Sequence, residues 1–243
     1  MKKVIDVLTF LFVYMMPFIF FLKIYNKKIN KLVRVLFSII YGIIAFISSA
    51  FVMNLVPFIL VLINISCLRK IARENNDFSN ECDYNVHKFS IKTIRLGESF
   101  KCILISYVMT TAVAVVTYII FSKLNVNLKQ QEVINIMSKM SMNQYAYMAL
   151  VTVIFAPILE EFVFRYLLFQ KIFKKKTGIY LSAIFSSVIF AFIHYNIQAF
   201  AGLLVLALIN CYLIEKKGYW YAVMNHSFFN FVTTTIVFLQ KIL

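Results

Sequence analysis

Apolar residues in this chain form long unbroken stretches rather than the period-two alternation of half-buried strands. Four stretches, 7–22, 102–122, 144–164 and 218–240, lie near the roughly 20 residues with which a helix crosses a hydrocarbon core of about 30 Å. Two are longer. Residues 35–68 carry no charge, and as a straight helix they would reach about 50 Å, so a break near Asn54 to Pro57 is expected to fold them into a hairpin. Residues 177–214 are uncharged apart from His194 and have room for two helices turning near Asn196. The pattern predicts an all-α, polytopic transmembrane helical bundle of seven or eight membrane helices. It excludes a β-barrel, whose strands would alternate. No repeat or Gly-Ser linker divides the chain. One integral membrane domain over 1–243 is expected, with helices and polar loops in 1–143 and the chemistry-bearing helices in 144–240.

Smaller patterns refine this. The first apolar run follows Lys2 and Lys3 as a signal peptide would, but it ends in Phe-Leu-Lys without a small-residue cleavage site, so it is expected to remain as an anchor. Segment 124–143 has apolar residues at helical spacing and reads equally as an external amphipathic helix or as a solvated loop.

Composition then bars a soluble surface. The chain is 62% hydrophobic and 17% aromatic, with mean hydropathy +0.82. Its twenty-five Lys and Arg against ten Asp and Glu could point to nucleic acid, but they gather in short loops between apolar runs. With 23–34, 69–101, 165–176 and 215–217 inside, nineteen of the twenty-five face the cytoplasm, and an anionic leaflet becomes their partner. This orientation puts both termini outside. "KIFKKK" (171–176) reads as an interfacial anchor, and Tyr219, Trp220 and Tyr221 as an aromatic belt at the same surface. Loop 69–101, with five acidic residues and His87, reads as solvated. Cys67, Cys82, Cys102 and Cys211 lack CxxC spacing and read as packing residues.

Against this background a few polar residues stand out. "APILEEFVFRY" (156–166) places Glu160, Glu161 and Arg165 at the end of an apolar run. A carboxylate at bilayer depth costs about 2.5–3.5 kcal/mol, so two in a row require partners, protonation or a water-filled cavity. Glu161 and Arg165 stand at i and i+4, where opposite charges pair, while Glu160 points about 100° away around the helix. One carboxylate can thus be held ionised while its neighbour takes and gives protons. "FAFIHYN" sets Phe190 and His194 at i and i+4, and "NHSFFNF" does the same for His226 and Asn230. Counted from presumed cytoplasmic ends near 172, 177 and 217, Glu160, His194 and His226 lie about 18, 25 and 14 Å deep, a spread that tilted helices accommodate.

The set EExxxR (Glu160, Glu161, Arg165), FxxxH (Phe190, His194) and HxxxN (His226, Asn230), ordered on successive apolar helices, resembles the CPBP family of intramembrane proteases. That family includes the CAAX prenyl endopeptidases and bacteriocin-processing or self-immunity proteins. The resemblance covers about 145–240. It implies hydrolysis of peptide bonds within the membrane. Glu160 with His194 would activate a water, His226 and Asn230 would stabilise the oxyanion, and Glu161 with Arg165 would support the site. No cofactor is needed on this reading. A zinc-dependent version, with Glu160, His194 and His226 as ligands around an open position, uses the same residues.

Rival classes carry their own expectations. A non-catalytic bacteriocin-immunity or regulatory protein would bind a peptide or sensor partner and keep its phenotype in Glu160→Gln. A proton-coupled transporter would also bury Glu and His, but the inverted repeats of that class are absent. The substrate expected is a membrane-associated protein or peptide. The Lys-, Ile- and Asn-rich composition suits an AT-rich bacterial genome, hence a bacterial plasma membrane and a peptide or pheromone precursor.

Overall fold

A computed structural model describes residues 7–25, 30–50, 55–74, 89–125 and 132–243. Among them the regular elements are all helical: α1 (Val7–Tyr25), α2 (Lys31–Ala50), α3 (Leu55–Glu74), α4 (Leu96–Lys123), α5 (Glu132–Lys139), α6 (142–173), α7 (Lys174–Ile193), α8 (Ile197–Lys216) and α9 (Tyr219–Ile242). Among the described residues, five helical stretches are long and apolar enough to cross a membrane. The uncharged run 35–68 falls on two helices, α2 and α3, and Pro57 sits in the first turn of α3, where its missing N–H costs nothing. Asn54 lies outside the described residues, as do His87, Cys82 and 75–88 of the loop expected to be solvated.

Three reversals organise the second half. Residues 142–193 follow one another as helix, and 52 residues would extend about 80 Å if straight. Gly178, at φ 75° and ψ −179°, breaks them in a backbone region that is essentially glycine's own. Beyond it α7 folds back along α6: Phe173 meets Phe185, with ring centroids 6.1 Å apart, and Phe164 meets Phe190 at 5.3 Å. The turn expected near Asn196 is there. Tyr195 takes φ 46°, and the Asn196 side chain accepts the Ala199 N–H at 2.8 Å to cap α8. Gly218, at φ 112°, makes the turn into α9.

Local winding follows the prolines. Proline offers no N–H to the carbonyl four residues back and clashes with it, so the helix must rewind before it. The turn before Pro17 is π-helical (Phe10–Met15), as is that before Pro157 (Val151–Phe155). A longer π-helical stretch, Glu161–Phe173, follows, and every residue from Glu161 to Gln170 is buried. A helix apolar all round belongs at the centre of a bundle, and α6 is there. This corrects the basic inside loop expected over 165–176, because the chain stays helical and Arg165 is fully buried beside Glu161.

The aromatic belt is corrected as well. Tyr219 is fully buried and donates its hydroxyl to the Ile158 carbonyl, while Tyr221 is buried and its hydroxyl bonds Glu98. Trp220 donates its indole N–H to the Phe89 carbonyl at 3.0 Å. These rings tie the start of α9 to α6 and to the entry of α4 rather than facing headgroups. Over 124–143, α5 forms and packs Met137 on Tyr145, Met148 and Val237, and a Ser141–Gln144 capping box starts α6. Cys67, Cys102 and Cys211 are unpaired with one another. Lys174 of the KIFKKK stretch pairs with Glu215 at 2.6 Å.

Candidate active site

Arg165 and Glu161 are both fully buried, with Arg165 Nε 3.1 Å from Glu161 Oε2, an ionic contact rather than an aligned hydrogen bond. The guanidinium carbon stands 4.2 Å from the centre of the Phe190 ring, a cation–π arrangement that compensates a dehydrated cation. The other Glu161 oxygen, Oε1, meets His226 Nδ1 at 2.8 Å and accepts from Asn210 Nδ2 at 3.0 Å. Glu161 is therefore ringed by donors, the environment of an ionised carboxylate.

That ring fixes His226. A carboxylate only accepts, so His226 Nδ1 carries the hydrogen, and its Nε2 is turned to Glu160 Oε2 at 3.8 Å. This separation is too long for a direct hydrogen bond, and one water can bond to both atoms. The two glutamates differ in kind. The Glu161 side chain has no exposed surface, whereas that of Glu160 is 19% exposed.

His194 ends α7. Its Nδ1 is 2.8 Å from the Phe190 carbonyl, which can only accept, so Nδ1–H is the donor and Nε2 keeps its lone pair. It packs tilted against Phe190 with ring centroids 4.6 Å apart, and Phe190 meets His226 edge-on at 5.7 Å. His194 lies within electrostatic reach of Glu160 and His226. The phenylalanine of FxxxH is thus a hub between both histidines and Arg165.

Asn230 stands a turn beyond His226 on α9 and donates through Nδ2 to the Thr152 carbonyl at 2.9 Å. Thr152 lies in the π-helical turn forced by Pro157. One amide hydrogen is committed there and a second remains. Four of the six residues singled out in the sequence, Glu160, Glu161, Arg165 and His226, form one contiguous cluster. His194 joins it through Phe190, and Asn230 borders it. Among the described residues no three His, Cys, Asp or Glu side chains converge to share a metal ion.

Sequence reasoning missed Asn210 on α8, together with Asn225 and Ser106, which continue the polar chain. The available signal was modest: "LINCY" and "MNHS" each hold one amide within an apolar helix. The winding of α6 hides the rest. In an α-helix residues nine apart face opposite ways, but i→i+5 bonding widens the turn so that spacings of four and five share a side. Glu161 and Gln170 both meet α8, through Asn210 and through Glu215 at 3.2 Å.

Residues 142–232 match the family described as Type II CAAX prenyl endopeptidase Rce1-like. The matched stretch holds all seven motif residues and ends before the tail of α9. The match agrees with the resemblance carried by the three motifs. Neither a curated protein nor a solved structure matches the chain.

Proposed function

We propose that the chain is an intramembrane endopeptidase that hydrolyses a peptide bond of a membrane-associated protein or peptide precursor with a water activated between Glu160 and His226. The observation that carries this reading is the 3.8 Å gap between Glu160 Oε2 and His226 Nε2, with the other nitrogen of His226 held by buried Glu161. Water in that gap gives up a proton to Glu160 as its oxygen adds to the carbonyl carbon. The second amide N–H of Asn230, the one not committed to Thr152, is the donor that α9 offers to the new oxyanion. Collapse expels the amine when the proton is returned to its nitrogen, leaving a carboxylate and an amine. His194, with its Nε2 lone pair, is suited to carry that proton. Glu161 and Arg165 do not exchange protons; they hold His226 in one tautomer, as an orienting carboxylate does in a nucleophile–base–acid triad.

The proposed steps use protein side chains and water, and the zinc-dependent version of the same site is separated from them by the test. The test is proteolysis of a membrane-peptide library by purified protein in liposomes, comparing wild type with Glu160→Gln and with or without chelator. Cleavage that is lost in the variant and survives chelator is the expected result. Cleavage abolished by chelator makes the protease zinc-dependent. Wild type that cuts nothing, yet captures a peptide as well as Glu160→Gln does, overturns the reading in favour of an immunity or regulatory binding protein.

A further inference from the structure

Beyond the seven motif residues, a buried line of two amides and a hydroxyl crosses three helices. Ser106 on α4 has its Oγ 2.9 Å from Asn225 Nδ2; the same nitrogen is 2.7 Å from Asn210 Oδ1; and Asn210 Nδ2 is 3.0 Å from Glu161 Oε1. Ser106 is 1% exposed, and both asparagines are fully buried. The line has a direction. Glu161 is an acceptor, so Asn210 must turn its NH2 group to it and its oxygen away. Asn225 must then present its own NH2 to that oxygen, and Ser106 its lone pair to Asn225. Reversing either asparagine sets an oxygen against an oxygen at hydrogen-bond distance.

The arrangement sacrifices one group. Asn225 directs both its contacts through nitrogen and leaves Oδ1 buried with no partner among the described residues. A buried orphan acceptor is uncommon and calls for a reason. Here the reason is that the NH2 group of Asn225 serves Asn210 on the side of Glu161 and Ser106 behind it, which turns its oxygen away from both. The oxygen of Glu161 that receives Asn210 is also the one that receives His226 Nδ1. Asn225 is, in addition, the chain neighbour of His226 on α9, so the line closes on the same histidine from two sides.

We infer that Asn210 is a positioning residue of the site: with Asn225 and Ser106 behind it, it pins Glu161 so that His226 keeps its hydrogen on Nδ1 and offers Nε2 to Glu160. This rests on the proposed protease reading for its consequence in catalysis, but the tautomer of His226 can be read without any turnover. Partners that orient a ligating or catalytic imidazole through its second nitrogen typically matter 10- to 100-fold.

The experiment is nitrogen-15 NMR of histidine-labelled full-length protein in detergent, with the His226 signals assigned by His226→Gln, alongside peptide cleavage across pH. Leucine at 210 keeps the branching of asparagine at Cγ without its donor. In Asn210→Leu we expect the Nδ1–H form of His226 to give way to a mixture, kcat to fall 10- to 100-fold with KM within twofold, and the pH–rate profile to shift. If that variant does not accumulate in the membrane, Asn225→Leu tests the next link, with the same tautomer change and a two- to tenfold loss of kcat. An unaltered His226 spectrum in a folded variant overturns the inference, as does a loss of stability with kcat and pH profile unchanged. Wild type that fails to cleave any peptide while Asn210→Leu still changes the tautomer sinks the protease reading and leaves the positioning role standing.

Discussion

Removing Glu161 and Arg165 together separates two views of what the buried glutamate is for. Deleting one partner of a buried ion pair leaves an uncompensated charge, at about 3–5 kcal/mol. Arg165→Met should cost that much, toward the lower end because Glu161 keeps two N–H partners. Replacing both partners of a buried pair by apolar residues is often close to neutral, so a glutamate that served Arg165 alone would let Glu161→Leu/Arg165→Met regain wild-type stability. Here it cannot. Asn210 Nδ2 and His226 Nδ1 both lose their acceptor. Imidazole can move its hydrogen to the other nitrogen, but the amide has no such escape, and one buried unsatisfied donor costs about 1–3 kcal/mol. The double variant should therefore remain about 1–3 kcal/mol below wild type while recovering part of the loss of either single one. SDS-driven unfolding in mixed micelles measures this, with the single tryptophan, Trp220, as the reporter at the junction of α9 with Phe89. Recovery of the double variant to within about 0.5 kcal/mol of wild type would refute the assignment of Glu161 as a shared acceptor, since an unsatisfied donor alone costs more than that.

Three further outcomes follow from features around the site. Gly178→Ala meets no atom within 4 Å but forces alanine into φ 75°, ψ −179°, so it should lower stability by about 1–3 kcal/mol in the same unfolding assay; no change would mean that the reversal relaxes freely. Tyr219→Phe strips a buried hydroxyl from the Ile158 carbonyl, two residues before Glu160, and should cost about 1–2 kcal/mol; a neutral result would show the carbonyl to be served otherwise. The hydrogen bond to Glu98 holds the Lys217 ammonium above the ordinary lysine value, so the contribution of the pair is present at neutral pH and is lost only as pH rises through that raised value. The difference in Tm between wild type and Lys217→Met should accordingly stay flat from pH 6 to 9, and a decline within that window would refute this origin.

What the sequence disclosed depended on how regular the local winding was. Helices α4, α8 and α9 fall where unbroken apolar runs require them, and the turn at Asn196 was visible because an amide cap and a loss of apolar continuity coincide there. The pairing of Glu161 with Arg165 was visible too, since i and i+4 remain neighbours in the wider winding. The partners on α8 were not, because reasoning at 3.6 residues per turn sends Glu161 and Gln170 to opposite faces. Positive charge misled in one place: Arg165 counts as a loop residue in a tally of basic side chains, yet it is buried over Phe190. Tyr219 and Tyr221 misled similarly, because proximity to Lys216 and Lys217 says nothing about whether a hydroxyl finds its partner in lipid headgroups or in protein.

The wide winding of α6 also makes it a ruler. Two contacts with α8, at Glu161–Asn210 and Gln170–Glu215, are set nine residues apart on α6 and five apart on α8. Side chains between them can be exchanged for others of similar bulk without altering that spacing, but a single residue gained or lost between 161 and 170 would leave only one of the two contacts in register. Variation in this stretch is therefore confined to the identity of residues and denied to their number, a constraint on length imposed by helical pitch rather than by any one side chain.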